Sequence, residues 1–222
     1  MKIVAAKQIL KANDQLADKK RAEFDAQHTL AINVMGSPGA GKTTLLEAIF
    51  REIPDSLQPA VIEGDLAEAI DAERIQQLGI PVVQINTEGA CHLDANMIAA
   101  ADEQFSDRDI DLLFIENVGN LVCTAGFDLG EHVRVVLLSV SEGDDKIVKY
   151  PTIFQRCDAL IVTKSDLQPH MDFNFSRVQA DMQRLAPKAD IFQVSARTGQ
   201  GILDVACWIG EHLESRHMSL SS

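Results

Sequence analysis

The run Gly36-Ser37-Pro38-Gly39-Ala40-Gly41-Lys42-Thr43 follows the apolar stretch Leu30 to Met35 and opens a helix-like stretch, Thr43 to Phe50. The spacing G-x-x-x-x-G-K-[ST] between a strand and a helix demands a tight turn whose backbone N–H groups converge on an anion. Glycine permits the positive φ angles and the close backbone approach that such a cradle needs. Lys42 is expected to reach the β- and γ-phosphates of a bound nucleotide and the Thr43 hydroxyl to bind Mg²⁺. Gly36, Gly39, Ala40, Gly41 and Thr44 complete the expected phosphate contacts.

The rest of the chain supplies the sheet that such a turn requires. Apolar runs near 30–35, 59–63, 80–86, 110–116, 132–140, 157–163 and 190–194 alternate with helical patterns. Nearly continuous apolar strands such as Val133 to Val140 imply burial on both faces. The expected fold is α/β: a doubly wound, mostly parallel sheet with helices on both faces. All loops leaving the strand C-termini then gather on one edge, where such sheets bind ligands. Residues 1–28 read as an amphipathic N-terminal helix and 29–222 as one nucleotide-binding domain. With Gly39 between its outer glycines, the cradle resembles that of the P-loop nucleotide hydrolases that include signal-recognition and metallochaperone GTPases.

The net charge of −13 argues against nucleic acid and anionic lipid as partners. The apolar runs fall short of the roughly 18 residues a membrane span needs, and the charged first 25 residues hold no signal-peptide core. A cytoplasmic protein is expected. The four cysteines, Cys91, Cys123, Cys157 and Cys207, are too scattered for a disulfide framework, so reduced thiols are the default.

Further motifs fall at strand tips. Glu63-Gly64-Asp65 places Asp65 to hold a Mg²⁺-bound or attacking water, and Asp71-Ala72-Glu73-Arg74 matches a D-x-x-R switch segment of the resembling GTPases. Glu116-Asn117-Val118-Gly119 offers a carboxylate for a second Mg²⁺ water, and the Gly119 N–H for the γ-phosphate. Lys42, Asp65 and Glu116 are therefore the candidate catalytic residues, and Thr43, Asp65 and Glu116 the candidate Mg²⁺ ligands. Thr163-Lys164-Ser165-Asp166 is the expected base reader. Asp166 accepts from guanine N1–H and the 2-amino group, both absent from adenine, while the Lys164 stem lies along the base. Thr163 stands where GTPases usually carry asparagine, a departure expected to loosen this loop. Ser195-Ala196-Arg197 matches the loop whose backbone faces guanine O6.

Gly89-Ala90-Cys91-His92-Leu93-Asp94 and Leu121-Val122-Cys123 leave the same sheet edge. Cys91, His92 and Cys123 form a thiolate-imidazole-thiolate set suited to Ni²⁺ or Zn²⁺. Together with Ser141-Glu142-Gly143-Asp144-Asp145-Lys146, these motifs make residues 30 to 212 resemble the hydrogenase-maturation nickel-insertion GTPases of the HypB family. The resemblance implies a GTP-dependent homodimer that binds Ni²⁺ or Zn²⁺ at Cys91, His92 and Cys123 near the subunit interface, and Mg²⁺-dependent hydrolysis of GTP to GDP is expected to be slow because no arginine finger is evident in the sequence. It further implies nickel delivery to the [NiFe]-hydrogenase large subunit with a HypA-type metallochaperone, and Lys146 approaching the nucleotide across the dimer. The cysteine- or histidine-rich leader of many relatives is missing from the first 27 residues. Cys157, in a strand, and Cys207, in an apolar helix, are expected in the core, and the remaining histidines are read as structural or exposed. The rival readings are a urease-type nickel-insertion GTPase, which usually has a proline between its cysteine and histidine, and a small-molecule kinase, which needs no guanine reader.

Overall fold

A computed structural model describes residues 6–65 and 70–220. Its sheet has seven strands: β1 (Leu30–Gly36), β2 (Pro59–Asp65), β3 (Val82–Asn86), β4 (Leu112–Glu116), β5 (Val133–Ser139), β6 (Ala159–Thr163) and β7 (Asp190–Gln193). They lie in the order β3-β2-β4-β1-β5-β6-β7, and every pairing is parallel. Each expected apolar run supplies one strand. The glycine-rich turn leaves the central strand at the point where the strand order reverses, the usual ligand crevice of an open α/β sheet.

The eight α-helices among the described residues are α1 (Ala6–Ala26), α2 (Lys42–Ile49), α3 (Ile70–Gln76), α4 (Ala95–Asp102), α5 (Lys146–Lys149), α6 (Pro151–Gln155), α7 (Phe175–Leu185) and α8 (Ile202–Leu220). One face of the sheet, through Ile32, Val34, Phe114 and Val135, packs on Leu45 and Leu46 of α2, Ile75 of α3 and Val205 and Trp208 of α8. The opposite face divides in two. Ala31, Ile62, Leu113 and Ile115 meet Phe24 of α1 and Ile98 of α4, while Val136, Leu160 and Val162 meet α5 to α7 through Ile147, Phe154 and Met182. No described helix is long and apolar enough to cross a membrane.

Helix α1 docks on the domain. Lys20, almost fully buried, reaches Asp102 of α4 at 2.5 Å and Glu23 at 2.9 Å. Gly130 (φ +85°) lets the loop before β5 approach so closely that a Cβ there would stand 2.9 Å from the Ala17 carbonyl.

The two cysteines expected in the core separate. Cys157 is buried just ahead of β6, donates to the Phe154 carbonyl at 3.1 Å, and has its thiol pushed up to about 12 by burial. Cys207 corrects the expectation: it is exposed on α8, because its neighbours Val205, Ala206, Trp208 and Ile209 take the inward positions of that helix. His132 is structural. Its Nδ1 accepts from the Ala31 N–H at 3.0 Å, and burial lowers its pKa to about 4, which keeps it neutral.

Candidate functional site

The turn at 36–43 has the backbone its sequence demands. Gly39 and Gly41 adopt φ of +74° and +91°, and Gly41 caps the N-terminus of α2 in the left-handed region. Lys42 and Thr43 are thereby set at the positive end of the helix, where anions are stabilised. The Thr43 hydroxyl donates to Glu116 Oε1 at 2.8 Å, and Lys42 Nζ lies 3.9 Å from the same oxygen.

Strand alternation explains the rest of this corner. Glu63 and Glu116 are register partners on β2 and β4, two residues beyond Val61 and Phe114 on the α2 face. Both glutamates are buried, and Glu63 Oε2 and Glu116 Oε2 have no hydrogen-bond partner. Asp65 closes β2 and is half-buried. Unpaired buried carboxylates are costly. The donors that touch here, the Thr43 hydroxyl and the Glu116 carboxylate, are the oxygen ligands that a hard divalent cation such as Mg²⁺ takes, and such an ion would offset that cost. Burial, reinforced by Glu116, pushes Glu63 up to about 8, and burial, opposed by Lys42, pushes Glu116 up to about 7. Glu63 was not singled out from the sequence as a site residue, although an acid inside an otherwise apolar strand is the signal that marks it.

The pH dependence follows from the direction of those shifts. Both folded-state values lie above the ordinary 4.5, so between about pH 4.5 and 8 these two glutamates hold more protons in the folded protein than in the unfolded chain. Their contribution to stability is greatest at the acid end of that window and falls as pH rises through 7 and 8, while the lowered His132 and His92 oppose it below about pH 6.5. For nucleotide- and metal-free protein the expected loss is on the order of 2 kcal/mol, or roughly 4–8 °C in Tm, by calorimetry from about pH 6.5 to 8. Glu63→Gln flattens that slope. An unchanged slope in the variant would place the proton uptake elsewhere.

Arg74 of the D-x-x-R segment pairs with Asp71 at 2.9 Å and forks onto Glu47 of α2 at 3.1 and 2.7 Å. It also donates to the Thr44 hydroxyl at 3.0 Å, tying α3 to the helix that follows the cradle.

Beside the same N-terminal end of α2, a cleft of about 280 Å³ is lined by Gly41, Thr44, Thr163, Lys164, Asp166 and Ala196, among others. Asp166 accepts from the buried Ser195 hydroxyl at 2.7 Å, and Arg197 stands 3.8 Å away, so its carboxylate is held from two sides. Lys164 adopts a positive φ of 57° and donates from Nζ to the Gly39 carbonyl at 2.7 Å. The expectation that Thr163 loosens this loop is corrected. Its hydroxyl donates to the Ala40 carbonyl at 2.6 Å, bracing the base-side loop on the phosphate turn. Lys146 begins α5, with Nζ 5.5 Å from the Tyr150 ring centroid, and is not among the residues lining the cleft.

The cysteine loops meet on the α4 side. Leu93 is fully buried, and its side chain fills the space over Gly64, where a Cβ would stand 2.8 Å away. Asp94 caps α4 by accepting from the Met97 N–H at 2.8 Å. Between this anchor and the Gly89 turn (φ +95°) the loop presents Cys91 and His92. Cys91 Sγ lies 3.7 Å from His92 Nδ1, and the His92 ring stacks on Phe127 at 3.8 Å. Burial lowers the His92 pKa, with Asp94 opposing, and the adjacent Cys91 thiol holds Cys123 above its ordinary value. Cys91 and Cys123 are therefore neighbours within one chain. Even so, no three His, Cys, Asp or Glu side chains among the described residues group closely enough to hold a metal ion.

One segment, 116–127, joins the two halves. The Asn120 N–H donates to the Gly36 carbonyl at 3.0 Å, and a Cβ at Gly119 would meet Pro38 at 3.0 Å. The Asn120 side chain accepts from the Val122 and Cys123 N–H groups at 2.6 and 3.0 Å, shaping the turn that carries Cys123. Asn117 is buried and accepts from the Leu93 N–H at 3.3 Å, while its Nδ2 donates to Asn33 Oδ1 at 3.3 Å. Asn117, Asn120 and Phe127 were not read from sequence as functional, because side-chain to backbone ties of this kind leave no periodic trace.

A central parallel strand, a glycine-rich phosphate turn, buried acids and paired cysteine loops define a class: the family described as CobW/HypB/UreG, nucleotide-binding domain, matches residues 30–193. Hydrogenase maturation factor HypB of Rhizobium leguminosarum bv. viciae is 46% identical over 207 residues, covering 93% of this chain and 69% of the relative. Hydrogenase/urease maturation factor HypB of Helicobacter pylori is 40% identical over 220 residues, covering 96% and 89%. The crystal structure of HypB from Helicobacter pylori in complex with nickel superposes with a TM-score of 0.88 at 39% identity, covering 92% of this chain and 96% of that one. The chain belongs to the HypB family of hydrogenase maturation factors.

Proposed function

We propose that the chain is a GTP-hydrolysing nickel metallochaperone of the cytoplasm, in which the nucleotide state sets the metal affinity. The observation that carries this reading is the continuity of segment 116–127. Its start touches the cradle through Glu116, Gly119 and Asn120, and its end meets the other cysteine loop through Cys123 and Phe127. The nickel complex of a relative with a TM-score of 0.88 supports nickel as the cargo.

In this reading Thr43, Asp65 and Glu116 hold Mg²⁺, Lys42 binds the β- and γ-phosphates, and Asp166 selects guanine. Bound Mg²⁺ would supply neutralisation of the charge that develops on the phosphates. The Gly119 N–H takes the γ-phosphate and orders its loop, which hydrolysis releases. Arg74 is engaged by Glu47 and Arg197 stands beside Asp166. Turnover without an arginine finger then lies at about 10⁻⁴ to 10⁻² s⁻¹.

Cys91, His92 and Cys123 bind Ni²⁺, with Zn²⁺ as a competing ion for the same donors. A homodimer brings two such sets together near its interface, with Lys146 approaching the second subunit's nucleotide. A HypA-type metallochaperone and the [NiFe]-hydrogenase large subunit are the partners that this reading requires.

The test compares Ni²⁺ affinity in GDP-bound protein with that in protein loaded with a non-hydrolysable GTP analogue. A difference of about 5- to 150-fold is expected for coupled sites. Equal affinities would sink the coupling.

A further inference from the structure

A second device holds the two cysteine loops together, and it comes from outside the nucleotide-binding fold proper. Asn13, midway along α1, places one side chain between them. Its Oδ1 accepts from the Ala95 N–H at 2.9 Å, and its Nδ2 donates to the Asp128 carbonyl at 2.8 Å. Ala95 is the first residue of α4 and lies three residues beyond His92, while Asp128 directly follows Phe127. The two bonds therefore bracket the stacked pair His92–Phe127, whose ring centroids are 3.8 Å apart.

The N–H of a first helical residue has no partner within its own helix. Asp94 serves Met97, so the Ala95 donor depends on Asn13. On the other loop, Arg21 of α1 reinforces the grip, reaching the Asp128 carboxylate at 2.5 Å and donating to the Glu131 carbonyl at 3.1 Å. Helix α1 thus touches both loops just beyond the residues that bear on the metal.

We propose that Asn13 is a positioning residue for the Cys91, His92 and Cys123 donors, and that α1 is a clasp fixing the distance between the two loops that carry them. The metal part of this inference rests on the nickel-binding reading above; the positioning of the thiols does not.

The experiment uses the full chain with Asn13→Ala and, as a control on the same helix, Lys20→Met, which removes the ion pairs to Asp102 and Glu23 without touching either cysteine loop. Ni²⁺ alone is titrated and followed by thiolate-to-nickel charge-transfer absorption. Thiol modification of metal-free protein is measured at Cys91 and Cys123 relative to the exposed Cys207. Asn13→Ala is expected to weaken Ni²⁺ binding by roughly 10-fold or more, the range for removing a supporting partner of a metal ligand. It should also change the charge-transfer spectrum and speed modification of Cys91 and Cys123 several-fold against Cys207, with GTP affinity unaltered. Lys20→Met is expected to lower Tm and leave the other readouts in place.

Asn13→Asp keeps the acceptor for Ala95 and loses the donor to Asp128, so it shifts the readouts in the same direction if the alanine variant does not fold. Wild-type affinity and thiol ratios in the Asn13 variants, or equal changes in Lys20→Met, would overturn the clasp. A wild-type nickel band that survives removal of both cysteines would defeat the metal reading alone, with the thiol ratios still deciding the role of Asn13.

Discussion

Cys91→Ala combined with Cys123→Ala is expected to abolish tight Ni²⁺ binding, by at least about 100-fold, while changing GTP affinity by less than about twofold. Thiolates are the strongest donors that these loops offer to a soft or borderline cation, and imidazole alone cannot replace two of them. The nucleotide groups are untouched, because Lys42, Thr43 and Asp166 make their contacts on the α2 side of the sheet. Isothermal titration with Ni²⁺ and with a fluorescent GTP analogue reads both quantities on one preparation. Nickel affinity that persists in the double variant would move the metal site elsewhere and leave a nucleotide switch whose cysteine pair is only structural. Removing the Cys91 thiol by itself releases the contact that holds Cys123 above its ordinary pKa. Cys91→Ala alone should therefore return the Cys123 thiol toward ordinary reactivity.

The second large effect falls at the base. Asp166→Ala removes the acceptors proposed for two guanine donors. At about 1.5–3 kcal/mol for each hydrogen bond to a charged group, GTP affinity should drop by roughly 10²- to 10⁴-fold with little change for ATP. Asp166→Asn presents an N–H toward the 2-amino group. It should favour a purine with an oxygen at that position over guanine. Competition binding with GTP, ATP and XTP measures the order. The prediction depends on a fixed carboxylate, which Ser195 and Arg197 supply at 2.7 and 3.8 Å. If GTP remained preferred over ATP by the wild-type margin, the guanine reader would lie outside Thr163 to Asp166.

The sheet was legible because buried parallel strands need apolar residues at nearly every position, and runs such as Val133 to Val140 admit few other readings. The phosphate turn was legible because its backbone needs glycine at particular places, and Gly39 and Gly41 carry the positive φ angles that this implies. Cys207 misled because a helix that is apolar overall still has an outward side, and composition cannot say which residue falls there. Thr163 misled in the other direction: a shorter side chain than asparagine still reaches Ala40 because the two loops lie close. Asn13 and Phe127 were invisible for a related reason. Their partners lie 115 and 35 residues away in sequence, and contacts of that range are fixed by how the elements dock, with no local propensity or spacing to announce them.

Consecutive residues of a strand point to opposite faces. Glu116 and Asn117 are such a pair at the tip of β4: one bonds Thr43 beneath the cradle, the other bonds Leu93 beneath the cysteine loop. A single peptide plane therefore serves as a pivot with a load on each side. Any tilt that draws the carboxylate toward the nucleotide must swing the carboxamide the other way. Both side chains are buried and bonded, so little of that rotation can be absorbed by rotamer change. The shortest mechanical route between the phosphate turn and the cysteine loop in this chain is then one peptide bond long.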